Sequence, residues 1–368
     1  MVDPVFPAES ARPHPRPLLG YAMVWAGATL FAVNGSVAKV ALQSGLSSEE
    51  LTLARSTGAF AGFGLILAVA PAFYVTRAIA GRRGASTPHT EVKFPPGRAR
   101  HAPKGIRHGL RVRKRELPFL ALYGVAGLAF VQWFYFLAIQ RLPVGIALLI
   151  EYLAPLLIAL WVRFALRRQV RRRIWVAGVL ALAGLALVVE VWHGLALDGL
   201  GVAAALAGAV AFAVYVLLAE RAVGVRDPLS LSFYGFLFAA LFWALLEPPW
   251  RFPIGTLDDS VSLLGNVAGY ELPLWGLLLW VVVLGAIVPF TLIVGALRHV
   301  PATQVALIAT LEPVVAALVA WLWLDEKLGA VQLTGGGIVL VGILVAQTAR
   351  SPSAERASER RPRSFASS

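Results

Sequence analysis

Two glutamates lie in the middle of strongly apolar segments of this chain. Glu151 is within ALLIEYLAPLL (147–157), and Glu312 is within ALIATLEPVV (306–315). An ionised side chain in the middle of a membrane helix costs roughly 2.5–3.5 kcal/mol on insertion scales, so such residues usually have a function. The chemistry available to them is to bind and release a proton, or to pair with a cationic group of a ligand.

A proline accompanies each glutamate. Pro155 follows Glu151 by four residues, and Pro313 follows Glu312 directly. A proline removes one backbone hydrogen bond from a helix. When the two segments are superposed, Glu312 falls on Ala154, three residues from Glu151 and therefore on the same helix face. We predict that both prolines break their helices and that both glutamates line one polar cavity.

Other polar residues inside apolar segments extend this candidate site. Arg55 needs a partner or a water-filled crevice, and Asn34 is equivalent to Tyr215 in a repeat described below. Gln132 is a further amide within a segment. The predicted substrate- or proton-binding residues are Glu151, Glu312, Arg55, Asn34, Tyr215 and Gln132.

Structural roles are the alternative interpretation. Either glutamate could make one interhelical hydrogen bond that only holds helices together. Lys39, Glu190 and Glu220 lie near segment ends, where long side chains can reach water. Arg55 and Lys39 are the only cationic residues within reach of a substrate carboxylate bound at the depth of the two glutamates.

The composition places these residues in a membrane. Of 368 residues, 58% are hydrophobic and 14% are charged, whereas soluble chains carry about 25% charged residues. The apolar residues form blocks of roughly 20, the length that crosses a bilayer. We predict an all-α polytopic membrane protein with ten transmembrane helices, at 19–42, 49–75, 118–138, 144–165, 173–192, 199–220, 229–247, 273–297, 302–323 and 329–348.

The chain contains an internal repeat. A shift of 158 residues places 138–160 on 296–318, with Pro155 on Pro313, and a shift of 181 residues places Asn34 on Tyr215. Each half holds five predicted helices, and because five is odd, the second half enters the membrane in the opposite direction.

The sequence therefore predicts two inverted repeats, at 19–192 and 199–348. The basic loop 163–173 and its net acidic counterpart 321–331 agree with this inversion. Inverted repeats are typical of secondary transporters, in which the substrate binds near the midplane where the repeats meet.

The basic residues predict the orientation. In this arrangement 28 of the 33 Lys and Arg residues fall on one side and three on the other, so both termini are expected in the cytoplasm. Residues 1–18 and 349–368 are predicted disordered cytoplasmic tails, and the start lacks the pattern of a cleaved signal peptide. The basic loop 76–117 is expected to contact anionic lipid headgroups rather than nucleic acid.

No feature of the sequence indicates an enzyme. The chain has no cysteine, its six histidines lie in tails or loops, and it lacks a phosphate-binding GxxxxGK[ST] motif. A metal or nucleophile site is therefore not expected, and no cofactor is predicted. A membrane scaffold or receptor that uses loop 76–117 is the alternative outside transport. The sequence makes no prediction of oligomeric state.

The segment LEPVVAALVAWLWLDEKLGAVQLTGGGIVLVGILV (311–345) resembles the repeat signature of the EamA family in the drug/metabolite transporter superfamily. The resemblance extends over nearly all of 19–348, and Arg55 fits the family pattern. Glu326 is similar to the family's acid at a helix end, whereas the first repeat has Arg168 at that position, which suggests that the acid is structural. The segment LPVGIALLIEYLAPLLIAL (142–160) is similar to threonine/homoserine exporters, including Glu151.

This resemblance implies a secondary transporter that exports small polar metabolites, foremost amino acids, by alternating access. It would act in the inner or plasma membrane of a bacterium, and proton exchange or the substrate gradient would drive it. A carrier of phosphorylated compounds or nucleotide sugars and a multidrug exporter are alternatives within the superfamily. A carrier of phosphorylated compounds would need several cations facing the cavity.

Overall fold

The structure is a computed structural model that describes residues 17–83, 112, 114–165, 167, 172–190, 197–223, 228–296, 299–300 and 302–349. The helices are α1 Pro17–Gln43, α2 Ser48–Arg83, α3 Leu117–Leu122, α4 Phe130–Arg141, α5 Val144–Glu151, α6 Ala154–Phe164, α7 Arg172–Val189, α8 Gly199–Val223, α9 Pro228–Leu246, α10 Leu274–Val282, α11 Val288–Ala296, α12 Ala302–Ala309, α13 Glu312–Leu324 and α14 Ala330–Ala349. The mostly helical architecture confirms the predicted class of fold.

Within the described ranges, eight helical segments are long and apolar enough to cross a membrane. They are Pro17–Gln43, Ser48–Val69, Lys114–Arg141, Val144–Trp161, Arg172–Val189, Gly199–Ala219, Leu229–Leu246 and Leu274–Ala296. Glu312–Leu324 and Ala330–Val345 are shorter apolar helices. The chain is therefore a multi-pass membrane protein.

Two short strands depart from the all-helical prediction. β1 (Ser260–Ser262) and β2 (Glu271–Pro273) pair antiparallel, with Val261 opposite Leu272, in the segment that joins α9 to α10. The sequence analysis missed this hairpin because its strands are three residues long, too short for an alternating apolar pattern to be visible.

The second helix also differs from its prediction, because α2 continues to Arg83 rather than ending near residue 75. It begins with a capping box, in which the Ser47 N–H donates to Glu50 Oε2 (2.8 Å) and the Glu50 N–H donates to Ser47 Oγ (3.1 Å). Residues 76–80 (TRAIA) contain no helix breaker, so the helix extends into the predicted loop. Most of loop 76–117 and most of both predicted tails lie outside the described residues, although α1 begins at Pro17 and α14 ends at Ala349.

Two helix breaks occur at equivalent positions in the two halves. Residues 152–153 separate α5 from α6, and residues 310–311 separate α12 from α13, again 158 positions apart. Pro155 and Pro313 each lie in the first turn of the following helix, where the missing N–H is tolerated. The carbonyl four residues before each proline consequently has no helical donor.

Two π-helical segments are also related by the 158-residue shift. Tyr123–Ala129 lies between α3 and α4, and Val283–Ile287 lies between α10 and α11. Such segments widen a helix locally and often occur at functional sites. The second contains Gly285, where an added Cβ would collide with the Asn34 side chain.

The last helices of the two halves, α7 and α14, pack with their backbones in contact. A Cβ added at Gly184 would lie 2.7 Å from the Gly335 carbonyl oxygen, and one added at Gly342 would lie 3.0 Å from the Ala177 carbonyl oxygen. The shift of 158 residues exchanges these two contacts. Small residues are needed here because they allow two helices to approach closely within a membrane.

Gly335→Ala should therefore destabilise the protein by about 1–3 kcal/mol, because the new methyl group overpacks the α7–α14 contact. Gly337→Ala is the matched control on the same helix, since no atom lies within 4 Å of its added Cβ. Both changes gain the same helix propensity. Thermal unfolding of the purified variants in detergent would compare them, and equal midpoints would contradict the predicted packing.

Candidate functional site

Glu151 is the last residue of α5, at the first helix break. It is buried, with 8% of the residue exposed, and Gly208 of α8 leaves room for its side chain: a Cβ added there would lie 4.0 Å from Glu151 Oε2. Within the described ranges, no hydrogen bond or ion pair involves its carboxylate. A buried carboxylate without a protein partner is available to bind a proton or a cationic ligand.

Glu312 is the first residue of α13, at the second helix break, and its side chain contacts a residue of the first helix break. The Tyr152 hydroxyl lies 2.7 Å from Glu312 Oε2 and 3.0 Å from the Ala309 carbonyl oxygen. This contact joins positions 160 residues apart in the sequence. The two helix breaks are therefore in contact, and Glu151 interacts electrostatically with Glu312. Glu312 has a hydrogen-bond partner, whereas Glu151 has none among the described residues.

Arg55 enters this region from α2. Its Nη2 donates to the Gly285 carbonyl oxygen (2.7 Å), and its guanidinium lies over the Phe136 ring at 5.6 Å. Arg55 is close enough to interact electrostatically with Glu151 and Glu312, yet in the described part of the chain it forms no ion pair within 4.0 Å. Its Nε has no partner there, so this N–H donor remains available.

The three remaining predicted residues occupy different surroundings. Asn34 is buried against Gly285, beside the carbonyl that Arg55 binds, and its Oδ1 has no partner among the described residues. Gln132 Nε2 donates to the Leu128 carbonyl oxygen of its own helical segment (2.9 Å). Tyr215 stacks on other aromatic rings and packs against Gly127.

An aromatic row connects Tyr215 to the glutamates. The ring centroids are 6.3 Å apart between Tyr152 and Phe212, 6.0 Å between Phe212 and Tyr215, and 5.5 Å between Tyr215 and Tyr123. The sequence analysis missed Tyr152, Phe212 and Tyr123, because an aromatic residue in a membrane helix looks like ordinary packing. One signal was present: both helix breaks begin with a hydroxyl residue, Tyr152 and Thr310.

A second polar cluster, the Lys39 network, lies where α1 ends and α5 begins. Lys39 Nζ donates to Glu326 Oε1 (2.6 Å) and to the Leu142 carbonyl oxygen (2.7 Å), while the Val144 N–H donates to Glu326 Oε2 (2.8 Å). Glu326 thus caps the start of α5 from the other half of the chain.

The Lys39 network corrects one expectation. We expected the Lys39 side chain to reach water or a substrate carboxylate, but only 12% of it is exposed and its charge pairs with Glu326. Arg55 is therefore the cation left near the two glutamates among the described residues. The acid at position 326 has contacts that suit a structural role.

Helix packing is tight at the end of the bundle that holds the Lys39 network. There α5 packs against α13, and a Cβ added at Gly145 would lie 2.5 Å from Ala317 Cβ. The equivalent pair, α6 and α12, has no comparable packing among the described residues. Among the described residues, α5 and α13 are thus in close contact at one end of the site, whereas α6 and α12 are not packed together at the other.

The geometry yields no metal site in the part of the chain that the structure describes, where no group of three His, Cys, Asp or Glu residues comes together. What the helices assemble is one buried and one partly buried carboxylate, a guanidinium and several aromatic rings at two helix breaks. This arrangement can bind small charged molecules, and it belongs to a multi-pass membrane protein.

Comparison with known proteins identifies the family. The model of the EamA-like transporter family matches residues 103–190 and 199–348, and the chain belongs to that family of membrane transporters. The first match begins after α1 and α2, the helices that carry Asn34 and Arg55.

The chain is similar to bacterial exporters along much of its length. It is 31% identical over 235 residues to the threonine/homoserine exporter RhtA of Escherichia coli (strain K12), covering 63% of this chain and 71% of that protein. It is 32% identical over 228 residues to RhtA of Salmonella typhimurium (strain LT2), covering 61% and 69%. A solved crystal structure of a protein with 21% identity has a TM-score of 0.50 and covers 91% of this chain and 98% of that one, which shows a shared fold.

Proposed function

We propose that the protein is a secondary transporter that exports small polar metabolites, foremost amino acids, from the bacterial cytoplasm across the inner membrane. The observation that carries this proposal is the Glu151 carboxylate, which is buried at a helix break, has no hydrogen-bond or ion-pair partner among the described residues and interacts electrostatically with Arg55 and Glu312. The similarity to threonine/homoserine exporters supports the substrate class.

The charges of the site favour a zwitterion. An amino acid carries an ammonium group and a carboxylate, and each needs a partner in a membrane because an unpaired buried charge is costly. Glu151 can pair with the ammonium group, and Arg55, whose Nε has no partner among the described residues, can bind the carboxylate in the forked geometry that a guanidinium offers. Because Lys39 is already paired with Glu326, the site is poorly suited to a phosphorylated substrate.

The proposed mechanism is alternating access between two inverted five-helix repeats, 19–192 and 199–348. The chain has ten transmembrane helices if each interrupted segment crosses the membrane once. These segments are α5–α6, α12–α13 and the two that contain a π-helical stretch, α3–α4 and α10–α11. The repeated breaks, π-helical segments and α7–α14 contacts support this interpretation. The Lys39 network then closes the external end of the site, and the separate α6 and α12 face the cytoplasm.

A reporter fused after Arg350 should lie in the cytoplasm, and an epitope inserted at Asp258 should be accessible outside the cell. This arrangement follows from the 28 basic residues that fall on one side. Reporter activity and antibody labelling of intact cells measure both positions. An external carboxyl terminus would refute the inverted-repeat topology.

Transport by purified protein in liposomes tests the function. Vesicles loaded with an unlabelled amino acid should accumulate a labelled one by exchange, and free amino acids should compete for it. Amino-acid amides and N-acetylated forms should compete weakly, since each leaves one partner in the site unpaired. Better competition by neutral apolar drugs than by any amino acid would refute the proposed substrate class but not the proposal that the protein is a transporter.

A further inference from the structure

The Tyr152 hydroxyl has two acceptors in reach but only one proton. It lies 2.7 Å from Glu312 Oε2 and 3.0 Å from the Ala309 carbonyl oxygen. A phenol O–H donates one hydrogen bond and can also accept one. A carbonyl oxygen can only accept, so if Tyr152 donates to Ala309, the short contact to Glu312 needs a proton on the carboxyl group.

The Ala309 carbonyl requires a donor from outside its own helix. In an α-helix this oxygen would accept from the N–H four residues later, but residue 313 is proline and has no N–H. The Tyr152 hydroxyl is its partner in the structure. An unsatisfied buried carbonyl costs about 1–3 kcal/mol, so the helix break itself favours donation from Tyr152 to Ala309.

We propose that the two carboxyl groups have different tasks: Glu312 carries the transported proton and, while protonated, donates a hydrogen bond to the Tyr152 hydroxyl oxygen, whereas Glu151 binds the ammonium group of the substrate. This assignment rests on the proposed function. Glu151 suits the second task because no described group occupies its carboxylate.

The proton on Glu312 is thereby linked to the shape of the helix break. When the proton leaves to water, the Tyr152 O–H turns to the new carboxylate and the Ala309 carbonyl loses its donor. The α12–α13 break must then rearrange to satisfy that oxygen. Proton release therefore favours movement of the second repeat.

Other charged or titratable groups face Glu312 from the neighbouring elements. Arg55 of α2, Tyr135 of α4 and Glu151 of α5 each interact with it electrostatically. None of the three is within hydrogen-bonding distance of its carboxyl group in the described part of the chain, where Tyr152 is its partner. Tyr152 is therefore a positioning residue that acts through Glu312.

The assignment predicts opposite transport defects for the two glutamine variants. Glu312→Gln in liposomes should retain exchange of labelled for unlabelled amino acid and lose accumulation driven by a pH gradient, because an amide cannot release a proton. Glu151→Gln should lose both activities. Glu271→Gln, on the hairpin, is the control and should retain both. Equal loss of exchange in the Glu151 and Glu312 variants would overturn the assignment, as would gradient-driven accumulation by Glu312→Gln.

Tyr152→Phe tests the hydrogen bond separately from the carboxylates. It should alter the pH profile of gradient-driven transport and leave the KM for exchange unchanged, whereas loss of packing alone would not move the pH profile. Identical pH profiles in Tyr152→Phe and the parent protein would overturn the role of Tyr152. Failure of the parent protein to exchange any amino acid would refute the proposed function and this inference together.

Discussion

Arg55→Gln is expected to abolish the preference of the transporter for free amino acids over their amides. The guanidinium is the cation near Glu151 and Glu312 among the described residues, and its Nε has no partner there. Losing a charge-assisted pair in a buried site costs roughly 1.5–3 kcal/mol, which corresponds to about 10- to 150-fold in binding. Competition of labelled-substrate exchange by matched acids and amides would measure this preference.

Arg55→Lys is the matched control, because it keeps the positive charge but loses the forked geometry. It should bind free amino acids with intermediate strength. Arg55 also holds the Gly285 carbonyl of a π-helical segment, so the amount of folded protein in the membrane must be compared as well. Unchanged discrimination between acids and amides in Arg55→Gln would exclude this residue from the substrate site.

Glu326→Ala is expected to open the external end of the site. It leaves the Val144 N–H without its acceptor and the Lys39 ammonium with only the Leu142 carbonyl oxygen, and breaking one side of a buried ion pair costs roughly 3–5 kcal/mol. A loss of about 3 kcal/mol would move the equilibrium between closed and open states by roughly 100-fold toward the open state. The transporter should then rest with its external end open.

Because the native chain has no cysteine, opening of the external end can be measured by labelling a single introduced cysteine. A cysteine placed at Ala316, which is fully buried on α13, gives a single site for a membrane-impermeant maleimide applied from outside. Labelling should be slow in the otherwise unchanged protein and much faster with Glu326→Ala. Asp325→Asn is the control, since it removes an exposed pair with Lys327 that contributes little, and asparagine tolerates the left-handed backbone of residue 325. Equal labelling rates in the presence and absence of Glu326 would contradict the predicted closure.

Exchanging the two charges, with Glu at 39 and Lys at 326, should restore closure only in part. The ion pair can re-form, but a lysine at 326 offers no acceptor to the Val144 N–H. Full restoration would show that the ion pair alone closes this end.

The amino-acid sequence alone was sufficient for the membrane class, the positions of most helices and the family. These properties depend on local patterns: an apolar run of membrane length forms a helix whatever surrounds it, because its backbone must be satisfied internally. The same holds for the observed breaks before Pro155 and Pro313, where a residue without an N–H interrupts the helix. The internal repeat, at a shift of 158 residues, was also visible in the sequence itself.

The partners of the polar residues were decided by the tertiary structure. Tyr152 meets Glu312 across 160 residues, Arg55 meets Gly285 across 230, and Lys39 meets Glu326 across 287. Helical periodicity specifies which residues share a face, but the rotation and depth of each helix against its neighbours specify which faces meet. For that reason the sequence left Lys39 as a second cation within reach of a substrate carboxylate, whereas packing pairs Lys39 with Glu326 and leaves Arg55 beside the glutamates.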